Sequence, residues 1–335
     1  MLKREDIHII AEAGTNNNGN LQKAKNLVRI AKNAKADSVK FQMINTWGLY
    51  LPGNYEYGHY DINEVIKIRL EGQMTDKEYN ELNNYCKEIN IQFSSSVFDT
   101  KALALLSSYS PPYIKISSSD LNNISFLRKV AEKGIKIVLS TGMSSLKEIE
   151  KSLTELYKVN FTDIVLLHCV SVYPAFLHQT NLPFIQTLQK EFGCPVGFSD
   201  HTGNSIAACL SLQFGATWLE KHFTEDKKQN GLDHAYAMEE KELTEYIKDI
   251  EMAISAINGN DIKISEAEFF TKKRARRSLY ASKDLKAGHK ITEEDILVVR
   301  PESEMSADDY DYILNSVLLD SLNQYQPFSK SIIKK

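Results

Sequence analysis

The sequence predicts an α/β chain in which a (β/α)8 barrel (a TIM barrel) precedes a second, small, β-rich domain. Three observations carry this. Eight short β-branched runs alternate with amphipathic stretches, the runs repeatedly turn polar at their ends, and the composition changes after about residue 258. Alternating strand and helix implies parallel strands joined by crossover helices. Eight such units suit a closed barrel, which takes about 250 residues. An open doubly wound sheet is the rival, but no GxGxxG follows the first strand.

The first strand is "IHIIAEAG" (7–14). The Asn-rich turn "AGTNNNGN" follows, with Asn20 as the expected helix N-cap. Leu21, Ala24, Leu27, Val28 and Ala31 then recur at the helical period. "ADSVKFQ" (36–42) is the second strand. The stretch 43–72 after it is long for a βα loop and is expected to serve function or an oligomer contact. Its aromatics include Trp47, Tyr50, Tyr55, Tyr57 and Tyr60.

"IQFSSSV", "PYIKISS", "KIVLSTG" and "DIVLLHCVS" read as strands three to six, and "PVGFSD" and "TWLEKHFT" as seven and eight. "EKELTEYIKDIEMAISAING" is the last barrel helix, with Gly259 as its expected stop. These elements place the barrel at 1–258. The charged stretch 259–275, with its basic "KKRARR" edge, reads as a solvated linker. Residues 276–335 are too few to bury a large core and read as the small domain.

Composition excludes several classes of function. A net charge of −4 leaves no electrostatic footprint for nucleic acid. The apolar runs are far shorter than a membrane span, and "MLKREDIHIIAEAG" lacks the features of a signal peptide. Cys86, Cys169, Cys194 and Cys209 show no CxxC spacing. Cys169 and Cys209 are expected as buried thiols, which suits a reducing cytoplasm.

In a barrel, chemistry collects at the carboxyl ends of the strands. The polar residues there are Glu12; Lys40 and Gln42; Ser95 and Ser96; Lys115, Ser118 and Asp120; Ser140; Ser171 and Tyr173; Ser199, Asp200 and His201; and Glu220, Lys221 and His222. Lys40 and Lys115 lie inside β-branched runs, where a buried ammonium needs an anionic partner. A lone strand-end histidine is ordinarily a hydrogen-bonded structural residue. His201 and His222 end neighbouring strands, about 4.8 Å apart, and so are also placed to share one divalent ion with open positions. Both readings stand at this level. His168, mid-strand, is expected to be a core residue.

In order along the chain, "IIAEAGTNNNGN", "ADSVKFQ", "YIKISSSD", "LSTGM", "LLHCVSVYP", "GFSDHT", "EKHFT", "GLDHAYAM" and "RRSLYASKDLKAGHKITEEDILVVRP" resemble the sialic acid (nonulosonic acid) synthases. The resemblance covers nearly the whole chain. It implies a (β/α)8 barrel followed by an antifreeze-like (SAF, β-clip) domain. It also implies condensation of phosphoenolpyruvate with an open-chain N-acetylmannosamine-type sugar, giving a nine-carbon 2-keto-3-deoxy acid and phosphate. A divalent ion, manganese or magnesium, is implied as cofactor.

Carried over by position, His201 and His222 match the metal ligands. Lys40, Ser96, Lys115, Ser118, Ser140, Ser171 and Ser199 match phosphoenolpyruvate-binding positions. Gln42, Tyr173 and Asp233 match residues that hold the sugar, and Glu12 and Asp120 the acidic groups at the reacting centre. Arg300 matches an arginine that reaches into the partner's barrel in a domain-swapped homodimer. Three departures from relatives fall near the sugar: "NNNG" where many have "NHNG", Asp120 for glutamate, and Ser171 for asparagine. The pair Asp233 and His234 points to a sialic or legionaminic type of sugar rather than a pseudaminic one. The rivals are a synthase for a shorter or phosphorylated sugar, a carbohydrate-binding protein with an inert barrel, and a metal-dependent hydrolase. For the last, ligands for a second metal are lacking.

Overall fold

The computed structural model describes residues 1–53, 61–258 and 263–335. Tyr55, Tyr57, Tyr60 and Gly259 lie outside the described residues. The chain divides into two compact units, Met1–Asn258 and Gly259–Lys335.

The first unit is a closed barrel of eight parallel strands in sequential order. They are β1 (His8–Gly14), β2 (Ser38–Met43), β3 (Gln92–Val97), β4 (Ile114–Ile116), β5 (Ile137–Ser140), β6 (Ile164–Cys169), β7 (Val196–Asp200) and β8 (Trp218–His222). Around them run α1 (Leu21–Asn33), α2 (Thr46–Leu49), α3 (Ile62–Glu71), α4 (Asp76–Glu88), α5 (Thr100–Ser107), α6 (Ile124–Ala131), α7 (Leu146–Lys158), α8 (Phe184–Phe192), α9 (Ile206–Gln213) and α10 (Glu240–Ile257). The expected N-cap holds: the Asn20 side chain accepts from the Lys23 N–H, closing one of the open donors at the start of α1. The long stretch after β2 carries α2 and α3. Asp61 caps α3 by accepting from the Asn63 N–H.

Two layers of apolar side chains hold the barrel. Between strands and helices lies the main core, in which Leu27, Leu82, Leu103, Leu127, Leu153, Leu188 and Ile250 are all buried. Inside, Ile10, Tyr113, Val138, Val165 and Leu167 fill the N-terminal half, with Trp218 packed against them. The His8 ring stacks on Trp218 at 4.1 Å and lids this plug. Gly197 is what lets β7 pass here, because a Cβ would lie 2.3 Å from the Trp218 carbonyl. The interior is therefore filled by apolar side chains at its N-terminal end, and its polar inward residues lie toward the carboxyl ends of the strands.

The second unit has its own core of Leu279, Leu285, Ile291, Met305, Phe328 and others. It contains α11 (Glu266–Ala275), β9 (Ser278–Ala281), β10 (Ile296–Val299), α12 (Tyr310–Ile313), β11 (Val317–Leu318) and β12 (Ile333–Lys334). The strands pair as two antiparallel ribbons. The stretch read as a linker thus contains ten helical residues, started by Ser265, whose side chain accepts from the Glu268 N–H. Its charge hid this helix, since α11 buries none of its residues. Cys86 and Cys169 are buried, whereas Cys209 is only half-buried, on the face of α9 that also leaves Ile206 and Leu210 exposed. Among the described residues no helix is long and apolar enough to cross a membrane.

Candidate active site

Parallel register sets the site. Glu12 lies beside Lys40 and beside His222, Ser96 beside Lys115, and Ser199 beside Glu220. Alternate residues of a strand face the same side, so Ser199 and His201, like Glu220 and His222, turn inward. Asp200 and Lys221 turn outward, where they form a buried ion pair at 3.3 Å between adjacent strand ends.

Four inward charges make a closed network. Lys40 Nζ sits 2.6 Å from Glu12 Oε2 and donates to Ser96 Oγ at 3.0 Å. Glu220 Oε2 stands between the two lysines, 3.7 Å from Lys40 and 3.9 Å from Lys115. Lys115 donates to Ser140 Oγ at 2.7 Å, and Ser199 donates to Glu220 Oε1 at 3.0 Å. Gln42 donates to Glu12 Oε1 at 2.9 Å. Glu12, Lys40, Lys115 and Glu220 are all at most 4 % exposed.

Burial drives the charges apart in character. Desolvation pushes the Glu12 carboxyl up to about 7, against the pull of Lys40. Burial would also raise Glu220, but the Lys115 and Lys40 ammonium groups outweigh it and hold that carboxyl at about 2. For Lys40 the cost of burial is overcome by Glu12 and Glu220, and its ammonium is held above the ordinary lysine range. Lys115 is pushed down by burial despite Glu220. Glu12 is therefore the group nearest neutrality, and Glu220 the fixed anion.

Beside this network lies a second pocket floor. The Gly142 N–H donates to Ser118 Oγ at 2.9 Å. A Cβ at Gly142 would lie 2.4 Å from Ser171 Oγ and 2.8 Å from Ser118 Oγ and Cys169 Sγ. Only glycine leaves this hydroxyl-lined space open. Ser118, Ser140 and Ser171 with Lys115 suit a multiply charged oxyanion.

Above the network is an aromatic box. The Tyr173 ring lies 4.1 Å from His201 and 5.0 Å from Tyr236, and Tyr236 lies 5.3 Å from His222. The His201 and His222 ring centroids are 5.8 Å apart. His201 Nδ1 donates to the Val170 carbonyl at 2.6 Å, which leaves Nε2 with its lone pair. His222 Nδ1 is buried without a hydrogen-bond partner. Burial lowers both imidazoles to about 4, so both are neutral. Two neutral, fixed rings with an orphaned nitrogen fit a divalent ion. No group of three or more possible ligands occurs among the described residues, so any further positions fall to water or substrate.

Asp233 is buried; it accepts from the Tyr236 hydroxyl at 2.6 Å, and its Oδ2 is unpartnered. Asp120 is also buried, but its carboxylate is engaged within its own loop by Asn123 and Ser117. Arg300 is exposed in the C-terminal unit. His168 is a core residue, bonded to the Thr180 carbonyl at 2.6 Å. Sequence reasoning placed Glu220 in the strand-end ring without a role of its own and passed over Gly142. The i, i+2 spacing of Glu220 and His222 was the readable signal for the first; nothing in "STGM" marked the second.

Fold and ring define a (β/α)8-barrel protein with a buried network of two lysines and two carboxylates at its strand ends. A small β-rich unit that matches the SAF domain over residues 276–331 follows the barrel. The chain belongs to the NeuB family, whose profile matches residues 27–263. It is 34 % identical over 325 residues to the N,N'-diacetyllegionaminic acid synthase of Legionella pneumophila, covering 94 % of this chain and 91 % of that protein. It is 31 % identical to the N-acetylneuraminate-9-phosphate synthase of Homo sapiens, covering 87 % and 82 %. Among solved structures it resembles the N-acetylneuraminic acid (sialic acid) synthetase of Leptospira borgpetersenii serovar Hardjo-bovis in complex with citrate. The TM-score is 0.70 at 31 % identity, over 79 % of this chain and 90 % of that one.

Proposed function

We propose that this chain condenses phosphoenolpyruvate with the aldehyde of an open-chain, N-acylated mannosamine-type sugar, giving a nine-carbon 2-keto-3-deoxy acid and phosphate. The observation that carries this is the buried network of Lys40, Lys115, Glu12 and Glu220 beside the serine-lined space over Gly142. A donor with both carboxylate and phosphate needs two cations and many donors shielded from water. The likeness to the legionaminic and sialic synthases supports the acceptor class.

In this reading Lys40 and Ser96 hold one anionic end of the donor. Lys115, Ser118, Ser140 and Ser171 hold the other, and Ser199 orients Glu220 below. Gln42, Tyr173 and Asp233 hold the sugar, its aldehyde over His201 and His222. A divalent ion on those two imidazoles, manganese or magnesium, would supply Lewis-acid polarisation of the aldehyde. The donor's methylene carbon forms the new C–C bond, and the aldehyde oxygen takes a proton. Water adds to the cationic enol-ether carbon, and Glu12, poised near neutrality, accepts the water's proton. Asp120 offers a second carboxylate at this end of the barrel. The tetrahedral intermediate then breaks its carbon–oxygen bond to phosphate. Arg300 completes the sugar pocket from a partner subunit in a homodimer.

The test is a mass measurement. Purified enzyme, phosphoenolpyruvate, manganese and a panel of acylated hexosamines should yield products heavier than the sugar by one pyruvate unit, with equal release of inorganic phosphate. Phosphate release without a heavier product would point to hydrolysis and sink the proposal.

A further inference from the structure

We infer that Tyr236 is a positioning residue for the acceptor sugar: its hydroxyl fixes the Asp233 carboxylate so that the second carboxylate oxygen, Oδ2, receives a hydroxyl or amide N–H of that sugar. This deepens the condensation reading above and rests on it.

Both residues lie in the segment that follows β8, and its backbone is fastened without them. The Met238 N–H donates to the His222 carbonyl at 2.9 Å, and the Thr224 N–H to the Met238 carbonyl at 2.8 Å. Within the loop so closed, His234 is fully buried, its Nδ1 hydrogen-bonded to Thr224 Oγ1 at 2.7 Å. The fold of the loop therefore does not depend on the Tyr236 hydroxyl.

The Tyr236 ring is packed against Tyr173 at 5.0 Å and His222 at 5.3 Å. From there its hydroxyl donates to Asp233 Oδ1 at 2.6 Å, a length usual for a charge-assisted O–H···O⁻ bond. The terminal torsion of an aspartate is otherwise broad. Anchoring Oδ1 narrows that torsion and so sets where Oδ2 points.

Oδ2 is buried and, among the described residues, has no hydrogen-bond partner. It lies against the end of β1: a Cβ on Gly14 would be 2.7 Å from it and 3.6 Å from Gln42 Nε2. Gln42 in turn donates to Glu12. Asp233 thus reaches from the aromatic box, through Oδ1, to the Gly14 and Gln42 edge of the site, through Oδ2. A carboxylate only accepts hydrogen bonds, and a buried oxygen left unpaired calls for a donor. Phosphoenolpyruvate is anionic at both ends and is repelled here. An open-chain acylated sugar offers several hydroxyls and an amide N–H.

The test is steady-state kinetics of the full chain with manganese, phosphoenolpyruvate and N-acetylmannosamine, or another acylated hexosamine where the parent condenses that one better. Tyr236→Phe keeps the ring and deletes the hydroxyl. It should raise KM for the sugar roughly 3- to 10-fold, the cost of ordering one freed side chain on binding. The kcat and the KM for phosphoenolpyruvate should stay within about twofold of the parent, and manganese retention after dialysis should be unchanged. A merely structural role would move those readings together with the sugar KM, and that result overturns the inference. In an Asp233→Ala background, adding Tyr236→Phe should leave the sugar KM unaltered, because nothing remains for the hydroxyl to position. Should Asp233→Ala turn over too slowly to read, Asp233→Asn takes its place, since its amide removes the acceptor at the sugar side. An equal loss in that background would give the hydroxyl a sugar contact of its own and overturn the inference. No loss in either background would mean that Oδ2 serves only solvent, and overturns it too. A parent enzyme that condenses no acylated hexosamine removes the condensation reading itself, and this inference with it.

Discussion

Glu220 is the residue whose removal should say most about the site. Replacing it by glutamine keeps the shape and the acceptor for Ser199 but deletes the anion between two lysines. At 3.7 and 3.9 Å, and with an effective dielectric constant near 20, each attraction is roughly 4 kcal/mol before desolvation. Lys40 keeps Glu12 at 2.6 Å, but Lys115 is left with only Ser140 Oγ and the Ile116 carbonyl. A buried charge stripped of its partner typically costs about 3–5 kcal/mol. For a unit of this size that is a fall in Tm on the order of 10 °C.

An anionic donor bound above the lysines replaces the missing charge. Thermal denaturation should therefore show a lower Tm for Glu220→Gln than for the parent without ligand, and a larger rise when phosphoenolpyruvate is added. For the parent, phosphoenolpyruvate at 100 times its Kd should add about 2.7 kcal/mol; for the variant the gain should exceed that at the same concentration. Equal melting of the two proteins, or equal shifts with phosphoenolpyruvate, would show that Glu220 does not hold the lysines for an anion.

Three further outcomes follow from the same geometry. His201→Ala or His222→Ala should abolish manganese retention after dialysis, with circular dichroism unchanged; retention equal to the parent's would refute the ligand role. The Glu12 carboxyl is raised to about 7 by burial, so it is a base only above that pH. kcat/KM should thus rise with pH through about 7, and Glu12→Gln should flatten the profile and lower the rate roughly 10²- to 10⁴-fold; an unchanged profile in that variant would reject Glu12 as the base. In the C-terminal unit, Asp295 is buried and accepts from His289 and Thr292, with Lys283 at 2.9 Å. Burial would raise this carboxyl, but those partners hold it well below the usual range. Its stabilisation is therefore present above the unfolded carboxylate value of about 3.9 and is lost as pH falls below it. Asp295→Asn should cost roughly 1.5–3 kcal/mol at neutral pH and remove that acid dependence, read by denaturant melts across pH.

How much of this was legible depends on the range of the cause. The eight strands announced themselves because each is a short local run of apolar or β-prone residues between helical stretches, and the Asn20 cap because capping is a contact three residues long. The helix at Glu266–Ala275 was missed for the opposite reason: with no buried face it has no apolar period, only the capping serine at Ser265. Roles that depend on a neighbouring strand were harder. Lys40 was suspected from its apolar surroundings alone, but the identity of its counter-ions, Glu12 and Glu220, is set by barrel closure, in which β1 meets both β2 and β8.

Asp200 and Lys221 show the limit most sharply. Both were read as part of the strand-end ring, yet register turns them outward into a buried pair beneath the Tyr246 ring, 5.3 Å from the Lys221 ammonium. Directly paired across β7 and β8, they tie together the two strand ends that bear His201 and His222. The outward pair joins the two strands from which the inward residues project. Because inward and outward positions alternate along both strands, Asp200→Lys should lower manganese retention after dialysis although the substituted side chain faces away from the barrel interior; retention equal to the parent's would refute the coupling between the outward pair and the imidazoles.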